Sequence, residues 1–463
     1  MPVWKFIMNL ETNNKNQEKG IMLVISNPCG NIKETKMKNS GIEWIGEIPD
    51  EWEVSKIGQL YEERKTKVSD TVYPPLSVTM QGILPQLETA AKSDAHDDRK
   101  LVLKGDFVIN SCSDRRGSCG ISEFNGSVSL INTVLHPKNE MNPIYYNWLF
   151  HSFRFSDEYY KNGHGIVDDL WTTSWTEMKK IFIPLPPKEI QQRIASYLDK
   201  KCNKIEETIQ NQQQVIEKLK AYKQSLITEA VTGKVKIENG KACGEYESYK
   251  DSGVEWIGKI PSEWEVKKLK YIADTFLKGS GITKEEIVIN GDTPCVRYGE
   301  LYTKYDYHFT ECQTRTNLGI IETPKYFSYG DVLFTCTGER VDEIGKSIAY
   351  LGNEKCLAGG DIIVLKHSQN PMFMGFALDS KYVQGQKSFG KTKLKVVHIS
   401  SGEIARLLIV LPPKEEQKEI ADYLDKKCTA IDTAIEQKQN LIEKLTEYKK
   451  SLIYECVTGK KEI

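Results

Sequence analysis

The stretch SGIEWIGEIPDEWEV, Ser40 to Val54, returns as SGVEWIGKIPSEWEV, Ser252 to Val266, with twelve of the fifteen positions identical. Trp44, Pro49 and Trp52 come back as Trp256, Pro261 and Trp264. A repeat of this length dictates architecture, because each copy must bury the same side chains in the same way. A longer duplication closes each half: PPKEIQQRIASYLDKKCNKIEETIQNQQQVIEKLKAYKQSLITEAVTGK from Pro186 to Lys234, and PPKEEQKEIADYLDKKCTAIDTAIEQKQNLIEKLTEYKKSLIYECVTGK from Pro412 to Lys460. The chain reads as two tandem halves, each a Trp-rich opener, a long variable stretch and this closing segment.

The closing segment predicts a long helix. Proline stands at its start, where a missing N–H costs nothing, helix formers fill it, and Gly233 or Gly459 follows its end. Leu198, Cys202, Ile205, Ile209, Gln212, Ile216, Leu219, Lys223, Leu226 and Ala230 form a heptad seam. The second copy matches it with Leu424, Cys428, Ile431, Ile435, Lys438, Ile442, Leu445, Lys449, Leu452 and Cys456. Antiparallel packing within one chain buries both stripes and is preferred to pairing between chains. The polar positions Gln212, Lys223, Lys438 and Lys449 then help to fix register. At 1.5 Å per residue the seam is about 50 Å long, more than one turn of B-DNA, so the pair has the dimensions of a ruler.

Between opener and helix the halves diverge over a faint common frame. KGDFVINS from Lys104 echoes YGDVLFTC from Tyr329, and NPIYYNWLFHS from Asn142 echoes NPMFMGFALDS from Asn370. Short β-branched and aromatic runs bounded by Gly, Asn and Asp predict strands, and the Asn-Pro segments predict short helices. Each variable stretch is expected to be an α+β domain. Repeated surfaces suit a partner met twice and diverged surfaces suit two different targets, which points to a bipartite ligand.

Composition narrows this further. The formal net charge of the 463 residues is -1, so bulk electrostatics offers no general attraction to nucleic acid, and phosphate contacts must come from local basic loops. Eleven cysteines with no C-x-x-C pair argue against a zinc site or a disulfide framework, and for thiols in a reducing cytoplasm. The run IMLVI at Ile21 to Ile25 is too short for a signal-peptide core or a membrane span, so a cytoplasmic chain with no membrane association is expected. Residues 1–36 read as a flexible extension, with Met37 an alternative start.

Two motifs suggest catalysis and fail on context. GQKSFGKT, Gly385 to Thr392, matches a phosphate-binding loop letter for letter, yet no apolar strand precedes it and the strand-like KLKVVHIS follows where a helix is required. Lys387, Lys391, Lys393 and Lys395 there suit a basic loop on a DNA backbone, or a solvated charge run. NPIYY and NPMF resemble the N-P-P-[YF] signature of amino-methyltransferases, but proline in a first helical turn explains them and no glycine-rich cofactor loop accompanies them. Seven scattered histidines supply no metal-ligand spacing, so no catalytic and no metal residues are assigned.

The duplicated opener, the helix starts IPLPPKEIQQRIASYLDKK and VLPPKEEQKEIADYLDKK, and GDFVIN and GDVLFTCTG together resemble the specificity subunit of type I restriction–modification systems, from Met37 onward. The resemblance implies an α+β protein with two tandem target recognition domains, separated by two long helices packed as an antiparallel coiled coil with pseudo-twofold symmetry. On that reading 37–183 is the first recognition domain, 184–236 the first spacer helix, 237–249 a linker, 250–409 the second recognition domain and 410–463 the second helix. It implies that each domain reads one half of an interrupted double-stranded DNA sequence. It further implies two methyltransferase subunits using S-adenosylmethionine, and motor-nuclease restriction subunits using ATP and Mg2+, with no cofactor in this chain. Candidate DNA contacts are Arg99, Lys100, Arg115 and Arg116 in the first domain. In the second they are Arg297, Tyr298, Lys304, Arg315, Arg340, Lys387, Lys391 and Lys393. The competing readings are a coiled-coil adaptor without DNA readout and a solitary DNA-binding specificity subunit.

Overall fold

The computed structural model describes residues 36–86, 97–165, 171–321, 323–392 and 396–463. Two compact units emerge and neither is a contiguous stretch of one half: Met1–Gln212 joins Gln439–Ile463, while Gln213–Lys438 forms the other. Each spacer helix, Lys188–Val231 and Lys414–Val457, therefore gives one part to each unit.

The first unit is built on an antiparallel sheet in the order Cys119–Ile121, Phe107–Asn110, Asn132–Pro137, Tyr61–Glu63. Its central strands are apolar on consecutive positions because both faces are covered. Phe107 and Ile109 face an aromatic core with Tyr145, Tyr146, Phe150, Phe155 and Tyr159, while Val108 and Val134 face a smaller core with Leu76, Ile83, Val102 and Val128. Full burial of each such ring contributes roughly 1.5–3 kcal/mol before entropy is counted. The aromatic core extends onto Leu198, Cys202 and Ile205 of one spacer helix and Leu445, Leu452 and Cys456 of the other. Glu206 meets Lys449 and Arg193 meets the carbonyl of Ile463, so the two helical segments run antiparallel. Ile209 and Ile442 of the seam are half-buried.

The second unit has a five-stranded sheet, ordered Ala273–Lys278, Ile362–His367, Val332–Thr335, Ser347–Tyr350, His308–Phe309, with the last pair parallel. Leu333, Ile348, Val364, Phe309 and Phe327 form its core. Here Ile216, Leu226, Ala230, Leu424, Cys428, Ile431 and Ile435 are buried and Leu219 is half-buried. Lys223, a polar position of the seam, reaches Asp432 of the other spacer helix at 2.7 Å.

The shared sequence makes the same joints in each unit. Asn142 and Asn370 cap their short helices, accepting from Tyr145 N at 3.0 Å and Phe373 N at 2.9 Å. Their own N–H groups donate to the buried Gln191 and Gln417, which donate in turn to Pro186 O and Pro412 O. The helix-ending glycines do the rest. Gly233 at φ +70° lies on Pro261 and Trp264, and Gly459 at φ +72° lies on Pro49 and Trp52. A Cβ would stand 2.3 and 2.4 Å from the respective proline Cδ. Left-handed backbone and lack of space both demand glycine there.

Candidate nucleic-acid interface

Sequence-selected cations divide into those turned inward and those left outside. Arg99 belongs to the first group. It is 6% exposed, its Nε donates to Ser127 Oγ at 2.8 Å and its Nη2 to Ser127 O at 3.1 Å, stitching strand Arg99–Val102 to Gly126–Val128. Burial holds its guanidinium below the usual arginine range, against the pull of Asp70. Lys100 is tied to Asn132 O at 2.8 Å and Glu63 at 3.3 Å.

Arg115 and Arg116 point out from a tight turn at Ser113–Arg115, with side chains 65% and 56% exposed. Their carboxylate partners, Asp114 at 3.6 Å and Asp157 at 3.5 Å, are themselves exposed, and such pairs cost little to separate. Sequence reasoning missed the neighbour of this turn. A hairpin of Leu76–Thr79 and Gly82–Pro85 carries Met80 and Gln81 at its tip, and Met80 Cε lies 3.9 Å from where a Cβ on Gly117 would be. Period-two alternation interrupted before Gly82 was the available signal.

In the second unit Lys387 likewise turns inward. It is 1% exposed, and its Nζ donates to Gly345 O at 2.6 Å and Ser347 Oγ at 3.0 Å above the Phe334 ring. Burial pulls its pKa down to about 8, with Asp379 opposing. Lys391 is held by Glu403 at 2.7 Å and His398 O at 2.6 Å; burial opposes, but hydrogen bonds from Lys391 and Ser400 bring Glu403 down to about 2. The phosphate-loop pattern begins inside the helix Lys381–Ser388, so its amides do not form a cradle. Lys393 lies outside the described residues.

Lys304 pairs with Glu300 at 2.8 Å along the end of the helix Tyr298–Thr303, and Arg315 donates to Gly291 O and Asp292 O, bracing that loop. Arg340 stands exposed on a turn, forked onto Asp342 with Glu343 at 3.4 Å. Arg297 has no ion-pair partner among the described residues, and its buried Nε has no hydrogen-bond partner there. It packs on Gly359, and half-exposed Tyr298 follows it. Two clefts flank Tyr298. One of about 760 Å³ reaches Tyr302 and Arg340; the other, of about 600 Å³, is lined by Lys284, Arg297, Lys304, Gly281 and Gly360.

Among the described residues no group of His, Cys, Asp and Glu is placed to hold a metal ion, and no helix is long and apolar enough to cross a membrane. What recurs between the two units is the frame of capping asparagine, buried glutamine and helix-ending glycine. The family model described as type I restriction modification DNA specificity domain matches residues 49–218 and again 261–445, and the chain belongs to that family, carrying its domain twice. Its place in such a system is that of the specificity subunit, which is not itself an enzyme. It is 25% identical over 436 residues to the type I restriction enzyme MjaVIII specificity subunit of Methanocaldococcus jannaschii, covering 89% of this chain and 93% of that one. The putative MjaX specificity subunit of the same organism is likewise 25% identical, over 448 residues, with 90% and 95% covered. A solved chain from work on complex assembly and conformational transition of the type I R-M system superposes with a TM-score of 0.65 at 15% identity. It covers 89% of this chain and 99% of that one, and shows the shared fold.

Proposed function

We propose that the two recognition surfaces read the two halves of an interrupted double-stranded DNA sequence, while the duplicated frame recruits methyltransferase and restriction subunits. The observation that carries this is the contrast between frame and surface. Capping asparagines, buried glutamines and helix-ending glycines recur residue for residue. The cations around them do not: a hairpin beside the Arg115–Arg116 turn stands in one unit, and in the other a helix at Tyr298–Thr303 follows half-buried Arg297, with Arg340 on a separate turn. Identical joints suit identical partners and different cations suit different base sequences. Arg115, Arg116, Arg297, Tyr298 and Arg340 are the retained DNA contacts of this reading. S-adenosylmethionine, ATP and Mg2+ belong to the recruited subunits, and the spacer helices set the number of base pairs between half-sites.

Genome-wide mapping of methylated adenine, with the gene present and deleted, tests the reading. Loss of one interrupted motif on deletion supports it. An unchanged methylation pattern in cells whose methyltransferase partner is active overturns it. Exchanging residues 67–180 for the matching stretch of a relative is expected to change one half of that motif only.

A further inference from the structure

The hairpin beside the Arg115–Arg116 turn has chemistry that the phosphate backbone does not need. The hairpin lies along the body of the unit: Leu76 and Ile83 enter the smaller core, and beside the turn a Cβ on Gly120 would stand 2.9 Å from Gly82 Cα, so the tip is held in place by the sheet below it. Its turn is braced, with Gln81 N donating to Thr79 Oγ1 at 3.1 Å and Thr79 Oγ1 donating to Gly82 O at 2.9 Å. Gly82 takes φ +111°, a backbone conformation that closes the two-residue turn at Met80 and Gln81. Met80 is 72% exposed and Gln81 is exposed beside it. A two-stranded ribbon fits the major groove of B-DNA, where glutamine matches the N6 and N7 edge of adenine and an apolar group covers the thymine methyl. The arginines lie on the flanking turn rather than at the tip, Arg116 fixed over the Tyr160 ring at 5.2 Å, which is the placing of phosphate anchors.

We infer that Gln81 is a specificity-determining residue of the first unit, reading an adenine edge from a hairpin inserted in the major groove, with Arg115 and Arg116 holding the flanking phosphates. This rests on the DNA-reading function proposed above. In the second unit a Cβ on Gly338, at the foot of the Arg340 turn, would meet Tyr302 Oη of the helix Tyr298–Thr303 at 2.8 Å.

The test compares Gln81→Ala, Gln81→Glu and Arg115→Ala in the full chain, by methylated-adenine mapping in the host and by salt-dependent binding of the purified protein to its motif. Gln81→Ala is expected to relax one base position in one half-site by at least tenfold, leaving the other half and the salt slope unchanged. Gln81→Glu, which replaces donor with acceptor, shifts preference at that position toward cytosine. Arg115→Ala weakens binding to all sequences and lowers the salt slope by about one. Wild-type preference at every position in both Gln81 variants overturns the assignment while leaving the DNA-reading function standing. Absence of any sequence preference in the wild-type chain overturns both. Equal melting temperatures show that altered readout is not loss of fold.

Discussion

Lys223 Nζ lies 2.7 Å from Asp432, and their counterparts in the repeat, Lys449 and Glu206, meet at 2.6 Å. One sequence position of the seam thus makes the same ion pair in each unit, but in unequal surroundings. Lys223 is 9% exposed, leans on the Tyr307 ring and takes a second carboxylate, Asp306, at 3.2 Å; Lys449 is 29% exposed. Removing the partner of a buried charge costs far more than removing that of a wetter one. Asp432→Ala is expected to destabilise its unit by about 2–3 kcal/mol, and Glu206→Ala by about 1 kcal/mol or less, measured by urea unfolding.

Gly233 and Gly459 meet proline and tryptophan where a side chain has no room. Gly233→Ala or Gly459→Ala must strain a left-handed backbone and push the ring away, at roughly 3 kcal/mol together. Calorimetry is expected to show the unit that holds the altered glycine melting earlier, with a smaller effect on the other.

Lys387 supplies a pH dependence. Its folded pKa of about 8 lies below its ordinary value of 10.5, so the unfolded chain binds the extra proton between those limits. Stability contributed at this site therefore rises as pH goes from about 8 to 10.5, by an amount on the order of 3 kcal/mol. Lys387→Met is expected to remove that rise, so the unfolding free energy of the wild type minus that of the variant increases from about pH 8 to 10.5. A pH-independent difference refutes it.

Spacer length is testable through the heptads. Deleting one from each spacer helix removes about 10 Å of rise and is expected to shorten the tolerated gap between half-sites by about three base pairs, or to abolish binding. Methylome mapping reads the gap directly, and an unchanged gap refutes the role.

The repeats and the helices were legible because the same physics is written twice: heptad periodicity, Pro-Pro starts and terminal glycines are local signals. The direction of single cations was not. Arg99 shares a strand face with buried Leu101, and Lys387 follows buried Val383 by one helical turn, so both were carried inward by elements whose registers their own residue types contradict. Nor did the linear order reveal that Gln439–Ile463 completes the first unit; that is a long-range contact, and only the seam hinted at it.

The exchange of closing glycines has a genetic consequence. Peptide encoded in the second half, at Gly459, seals the opener of the first, and peptide encoded in the first half, at Gly233, seals that of the second. Recombination that swaps one variable stretch trades a reader and leaves both seals intact. A stop codon after the first half instead yields a product whose own opener has lost its seal, and only a second copy of the truncated product carries the Gly233 tail that matches it.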